Sequence, residues 1–314
     1  MVGMIKKANR VYLLLYLCIF SDHAVSQISN DKIIARANAA LSLMSFSVVP
    51  DVTTSTLSID QNNPESSDLM MTQLGGGATI SEDVPIYLEG TLAFSRFDPT
   101  FVITSGNVTG TLPLKWNSLS ASGGVGWDFK LDENLVLRPI VNVSLGRVVS
   151  DIKIARWYVN NQSDLDLSFI DGGSLNAYGY GGSIMLDYEL FSERQDIDAE
   201  LRYSYIRLNS FGSTASGARG QANAENLSLY LRRRAPTGYE LLNKPLRYVL
   251  EGAHTQFLGE QRGALGFDYM SSAGVGLELD SSDYDIFITR TRLVLRYMFG
   301  QNSDGYALGL AMSF

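Results

Sequence analysis

The chain is nearly without cysteine and histidine. Its 314 residues hold one cysteine, Cys18, and two histidines, His23 and His254. All but His254 lie in the first 26 residues, which have the form of an export signal. Lys6, Lys7 and Arg10 give a basic start, residues 11–20 (VYLLLYLCIF) an apolar stretch, and Ala24-Val25-Ser26 a small-x-small cleavage pattern. After removal of residues 1–26 there is no disulfide framework, and no thiolate or multi-histidine metal site. No cofactor is expected. Leu17 before Cys18 does not fit a lipoprotein signal.

Basic charge is also scarce. The chain has 25 Lys and Arg against 33 Asp and Glu. Without residues 1–26, which contain Lys6, Lys7, Arg10 and Asp22, 22 basic and 32 acidic residues remain. That balance argues against nucleic acid as a partner. Long apolar runs are missing too. No stretch after the signal offers the roughly 18 consecutive apolar residues of a membrane-crossing helix.

What the chain has is alternation. Twelve runs change face with period two, at about 46–59, 70–80, 84–97, 111–131, 134–149, 174–190, 194–209, 224–234, 244–258, 262–280, 284–299 and 304–314. Leu137, Pro139, Val141, Val143 and Leu145 oppose Arg138, Asn142 and Ser144. Ile197, Leu201, Tyr203 and Tyr205 oppose Asp198, Glu200, Arg202 and Ser204. Leu293, Leu295, Tyr297 and Phe299 oppose Arg292, Val294 and Arg296, on a face expected to accept a further charge. The connections alternate as well. Long polar stretches follow the first, third, fifth and seventh runs; short ones (SEDV, LDEN, FSERQD, SSDY) follow the second, fourth, sixth and tenth. Two connections break this rule: RAPTGYELLNK is long where a short turn is expected, and LGEQRG is short where a long loop is expected. An even strand number with long outer loops and short periplasmic turns is the pattern of a bacterial outer-membrane barrel. The fold class expected is all-β, a 12-stranded antiparallel transmembrane β-barrel. Its partners would be outer-membrane lipid and the barrel assembly machinery, and its state monomeric.

The last run places Tyr306, Leu308, Leu310, Met312 and Phe314 on one face, and Ala307, Gly309, Ala311 and Ser313 on the other. A terminal aromatic after alternating apolar residues resembles the C-terminal assembly signal of outer-membrane barrels. Residues 30–45 do not alternate. They open with Asn30 or Asp31 as N-cap and continue with helix formers, carrying Lys32, Arg36 and Asn38 on polar sides. A helix is about 10–12 Å across and could lie inside a twelve-stranded barrel. The domains expected are therefore 1–26, signal peptide; 27–45, helical segment and lumen plug; 46–314, barrel.

A helix followed by twelve strands and a terminal aromatic resembles the translocator β-domain of autotransporters, over residues 30–314. The resemblance implies a pore threaded by a helix that leads to an exported passenger. Here only about three residues separate the cleavage site from the helix, so the chain is more similar to solitary autotransporter-like barrels without a passenger. Asn38 is the one helix residue of the type used in passenger release, and that role is not carried over.

For chemistry there is little material. His254, beside Glu251 and Thr255, could belong to a hydrolytic constellation of the kind some outer-membrane enzymes use. Without a nucleophile placed against it, it reads as an ordinary strand histidine, and the chain as no enzyme. The polar faces carry Arg138, Arg202, Arg290, Arg292 and Arg296 together with Glu89, Glu200, Glu278, Asp128 and Asp187. These line a lumen in either of two functions. One is a structural or surface-interaction module with lumen charges paired. The other is a narrow channel for small anionic solutes, lined by arginine.

Overall fold

The computed structural model describes residues 54–61, 68–98, 100–105, 108–113, 116–150, 174–211, 220–263, 267–280, 290–301 and 303–313. The signal peptide and the helical segment 27–45, with Lys32, Arg36 and Asn38, lie outside the described residues. Among those described, no helix is long and apolar enough to cross a membrane.

The strands are β1 (Thr54–Gln61), β2 (Asp68–Thr79), β3 (Ile86–Asp98), β4 (Thr100–Ser105), β5 (Val108–Pro113), β6 (Trp116–Trp127), β7 (Phe129–Asp132), β8 (Leu135–Ser150), β9 (Ser174–Leu190), β10 (Asp196–Phe211), β11 (Gln221–Leu241), β12 (Lys244–Leu258), β13 (Tyr269–Asp280), β14 (Arg290–Gly300) and β15 (Ser303–Ser313). Each of the twelve long strands pairs antiparallel with its neighbour in sequence. Two pairings complete the circle. β1 lies against β15 from Thr54↔Leu310 to Gln61↔Ser303, and β6 lies against β8 from Trp116↔Ser150 to Gly126↔Ile140. The sheet thus has no free edge, as a lipid-immersed sheet requires. Twelve strands about 4.8 Å apart and tilted by about 40° enclose a backbone cylinder roughly 24 Å across.

The expected strands all exist, but three connections differ from expectation. RAPTGYELLNK is not a loop. β11 runs on to Leu241, bends at an irregularity between Pro236 and Glu240, and returns through Leu242 and Asn243. Both turn residues have positive φ, 55° and 60°, as a two-residue hairpin turn demands. Leucine is a poor residue for that conformation, so the turn carried no local signature. The connection after β3 contains a hairpin of its own, β4 with β5, paired from Thr100↔Pro113 to Ser105↔Val108. β6 breaks at Asp128 and resumes as β7, which pairs with the start of β8.

The two faces separate as the alternation required. Leu295 is 55% exposed and its neighbour Val294 1%. Leu92, Val125, Val143, Ile184, Leu229, Val275, Tyr306, Leu308 and Leu310 also face outward. Such an outward apolar band is the surface a barrel offers to hydrocarbon. The expectation that Val294 would accept a further charge meets a packing constraint. Val294 shares the arginine face, but its methyl groups fill the space over Gly274 and Gly276, where a Cβ would meet them at 3.0 and 2.7 Å. An arginine there would be crowded as well as repelled.

Leu295→Arg puts a charge into hydrocarbon and is expected to lower stability by about 2–4 kcal/mol if it sits near the bilayer midplane. Leu295→Met should change it by less than about 1.5 kcal/mol. Urea unfolding of the vesicle-inserted protein checks both.

Candidate functional site: the barrel interior

Inside the barrel the side chains form two layers. Near the strand ends that carry the long loops lies an apolar ring: Leu69, Phe97, Trp116, Val148, Leu175, Ile206, Leu208, Phe257, Phe267 and Met270, with small Ala177, Ala222, Ala224 and Ala307 between them. At these strand ends the polarity is inverted: the ring is apolar inside, while Arg96, Asn117, Arg147, Asn176, Arg207 and Glu225 alternate with its members on the outer face. Period-two alternation does not reveal the ring, because it assigns polar or small residues to the whole inner face.

Below the ring lies the charged layer. Glu89 of β3 accepts two hydrogen bonds from the guanidinium of Arg202 on β10, at 2.7 and 2.8 Å across the lumen. Asn142 donates to the same carboxylate at 2.5 Å, and Ser183 links Asn142, Ser204 and Arg202. Arg138 bridges Asp128 and Asp187, the latter at 2.8 Å, and its guanidinium lies 4.0 Å from the centre of the Tyr87 ring. Thr79 adds a hydrogen bond to Asp128 at 2.6 Å. On the opposite wall Arg296 pairs with Glu251 at 2.6 Å, and Tyr230 donates to Glu251 at 2.7 Å. Arg292 lies between Glu251 and Glu278, at 3.6 and 3.4 Å. Nearer the short turns, Arg290 reaches Asp196 at 3.1 Å and Arg247 reaches it at 2.9 Å.

Of the residues singled out from sequence, Arg138, Asp128 and Asp187 meet one another, as do Arg202 and Glu89, and Arg292 and Glu278. Arg290 and Arg296 pair with carboxylates that sequence reasoning had not selected. Glu200 is half-buried on the same inner face of β10. The missed members are Asp196, Asp198, Arg232, Arg234, Arg247, Glu251 and Asp280. Arg232 pairs with Asp198 at 2.9 Å, and Arg234 with Asp198 and Glu278 at 3.3 Å each. A signal existed for Arg234, whose parity matches Arg232. It was hidden because Arg234 opens the segment RAPTGYELLNK, which reads as a loop.

The arginines fit because facing strands are small. A Cβ on Gly124 would come within 2.5 Å of the Asn142 amide and 2.7 Å of the Glu89 carboxylate. Gly309 of the last strand leaves the space that the Arg296 guanidinium fills. The small inward face of β15 is therefore a seat for β14's arginine.

One wall is different. Thr91 and Ser95 of β3, Ser118, Ser120 and Ser122 of β6, and Ser144 of β8 point inward with hydroxyls that have no hydrogen-bond partner among the described residues. All but Ser122 are more than nine-tenths buried. Buried polar groups ordinarily find partners, and these hydroxyls offer donors and acceptors to water or to another polar group.

His254 lies on the outward face. Its Nδ1 is 2.8 Å from Ser271 Oγ, and its ring is 5.7 Å from that of Tyr269. Among the described residues it makes no hydrogen bond to a carboxylate of the kind that orients the histidine of a hydrolytic triad. No group of three or more His, Cys, Asp or Glu among the described residues could hold a metal ion. Of the terminal-strand signal, Tyr306, Leu308 and Leu310 face outward; Phe314 and the side chain of Met312 lie outside the described part of the chain.

The double change Glu89→Leu with Arg202→Leu is expected to be close to neutral. Arg202→Leu alone strands a buried carboxylate and should cost about 3–5 kcal/mol. A double-mutant cycle read by urea unfolding measures the difference.

Comparison with known proteins gives a family match over part of the chain and distant structural likenesses. Residues 46–151, about a third of the chain, match the family profile described as "Autotransporter beta-domain". Among solved structures, the β-domain of the Bordetella autotransporter BrkA is similar, with 14% identity, a TM-score of 0.45, and coverage of 83% of this chain and 97% of that one. The transport unit of AIDA-I from Escherichia coli has 11% identity and a TM-score of 0.46, covering 88% and 99%. The KdgM porin has 10% identity and a TM-score of 0.36, covering 83% and 99%. No curated protein matches. The chain is a β-barrel of the bacterial outer membrane that resembles the autotransporter translocator domain, with the family match lying on its first strands.

Proposed function

We propose that the protein is a closed, internally braced barrel module, which presents its long outer connections at the cell surface and performs no catalysis. The observation that supports this best is the pairing of the lumen. Eight inward arginines, Arg138, Arg202, Arg232, Arg234, Arg247, Arg290, Arg292 and Arg296, each lie within ion-pair distance of a carboxylate. An anion channel needs cationic groups that a passing solute can engage, and these are already engaged.

The second element of the proposal is the helical segment 27–45, which would lie in the lumen against the hydroxyl wall. Glu89 and Glu278 already carry arginines, so that wall, rather than those acids, is the surface suited to Asn38 and the polar flanks of the helix. The six unpartnered hydroxyls support this seat. The apolar ring would narrow the outer mouth above it.

Conductance in planar bilayers tests the reading. The intact protein should conduct poorly, and a variant lacking residues 27–45 should conduct well. A large, steady conductance of the intact protein, unchanged by the deletion, would instead support the narrow anion channel.

A further inference from the structure

The segment RAPTGYELLNK, long for a periplasmic turn, leaves the closed sheet as a hairpin of its own. β11 makes its last pair with β10 at Asp196↔Arg234 and runs seven residues further, to Leu241. Beyond Arg234 its partner among the described residues is β12 alone, as far as Leu241↔Lys244. β9 and β10, by contrast, part directly after Leu190↔Ile197. The exposed charge of Arg233 marks the end of the apolar band on β11, so the hairpin projects past the lipid-facing surface. Allowing for the extra residues at the irregularity between Pro236 and Glu240, it reaches about 15 Å along the strand.

The projection is braced from within. Thr237 Oγ1 donates to the Leu246 carbonyl at 2.7 Å and accepts from the Tyr239 amide at 3.1 Å. What the tip presents to water is apolar: Tyr239 is 76% exposed, Leu242 78% and Leu241 53%. Leu242 also holds a φ of 55°, which a bulky residue seldom takes and which glycine or asparagine adopts with less strain. An exposed leucine adds little to the packing of the barrel itself. Its place in a strained turn is accounted for by a contact outside the chain.

The hairpin offers main-chain groups as well. Leu241↔Lys244 flanks the two-residue turn and is a hydrogen-bonded pair. The next pair, Glu240↔Pro245, is therefore of the non-bonded kind, which suits Pro245 because it has no N–H. The N–H and C=O of Glu240 accordingly point away from β12, to the side where β10 has already ended.

We propose that this hairpin docks a periplasmic protein, which adds an extended strand to the free edge of β11 and receives Tyr239 and Leu242 in apolar pockets. A second copy of this chain is a poor occupant. Two barrels in one membrane, related by a twofold axis along its normal, would set their β11 edges parallel and bring Glu240 beside Glu240. A polysaccharide offers no main-chain edge and little apolar surface for two leucines. The site rests on the outer-membrane placement, which puts the short-turn end in the periplasm. It is independent of whether the lumen is open.

Tyr239→benzoylphenylalanine in the full chain, irradiated in whole Gram-negative cells, tests this. One discrete protein adduct is expected, joined to a segment of alternating apolar and polar residues when mapped by mass spectrometry. Glu240→Pro removes the free N–H and should lower the adduct yield by about tenfold or more, while Glu240→Gln keeps it. Leu242→Asn removes an anchor and should lower the yield to a similar extent. It should leave the heat-modifiable band of the folded barrel unchanged, because asparagine suits positive φ. An adduct of this chain with itself, an adduct released by muramidase, phospholipid adducts alone, or no adduct would overturn the proposal. So would a protein adduct that either Glu240→Pro or Leu242→Asn leaves undiminished. If Glu240→Pro does not fold, Leu242→Asn decides, and full retention of the adduct there overturns the proposal equally.

Discussion

Everything in this molecule depends on a sheet with no free edge. In hydrocarbon an unpaired strand has no water to satisfy its amides and carbonyls. The first and last long strands must therefore find each other, and β1 and β15 do so over eight residue pairs. Once the sheet closes, its period-two alternation is no longer a local property. It becomes an outside and an inside, with different solvents on the two.

The inside then poses an electrostatic problem. Arginines and carboxylates confined with little water are stable only if each finds a partner. The barrel supplies partners from across the lumen and from adjacent strands. Glu89 and Arg202 are 113 residues apart in sequence. Glycine makes the geometry possible. Gly124 and Gly309 have no side chain where a carboxylate, an amide or a guanidinium must pass. The charged layer and the apolar ring above it divide the interior along its axis, and one wall gathers six hydroxyls that have no partner among the described residues.

Much of this was readable in the sequence. The twelve runs, their order and their facing followed from period two, because one face meets lipid and cannot tolerate exceptions. Leu137 and Arg138, or Leu201 and Arg202, declare opposite faces without any structure. Less readable were features set by closure. No local rule joins Glu89 to Arg202. Leu242-Asn243 lacks the usual turn residues, so β11 looked seven residues shorter at its C-terminal end than it is, and Arg234 fell at the boundary of the expected run. Ile206 and Leu208 point inward on either side of outward Arg207, so at this strand end the alternation runs in the opposite sense to the rest of β10 and its apolar residues read as facing lipid.

Disulfide trapping across the closing seam is the sharpest test of a sheet without edges, because the one cysteine, Cys18, lies in the expected signal peptide. Thr56 and Leu308 are opposite each other in the β1–β15 pairing, and Ser58 is opposite Tyr306. Directly opposed residues fall within the Cα separation that a disulfide spans, about 4.4–6.8 Å. The variant carrying Thr56→Cys and Leu308→Cys should oxidise readily in the membrane-inserted protein, giving a looped species of altered gel mobility. The variant carrying Thr56→Cys and Ala311→Cys, shifted by three residues to the other face, should not. Oxidation of the shifted pair with none at Thr56 and Leu308 would contradict the closed register.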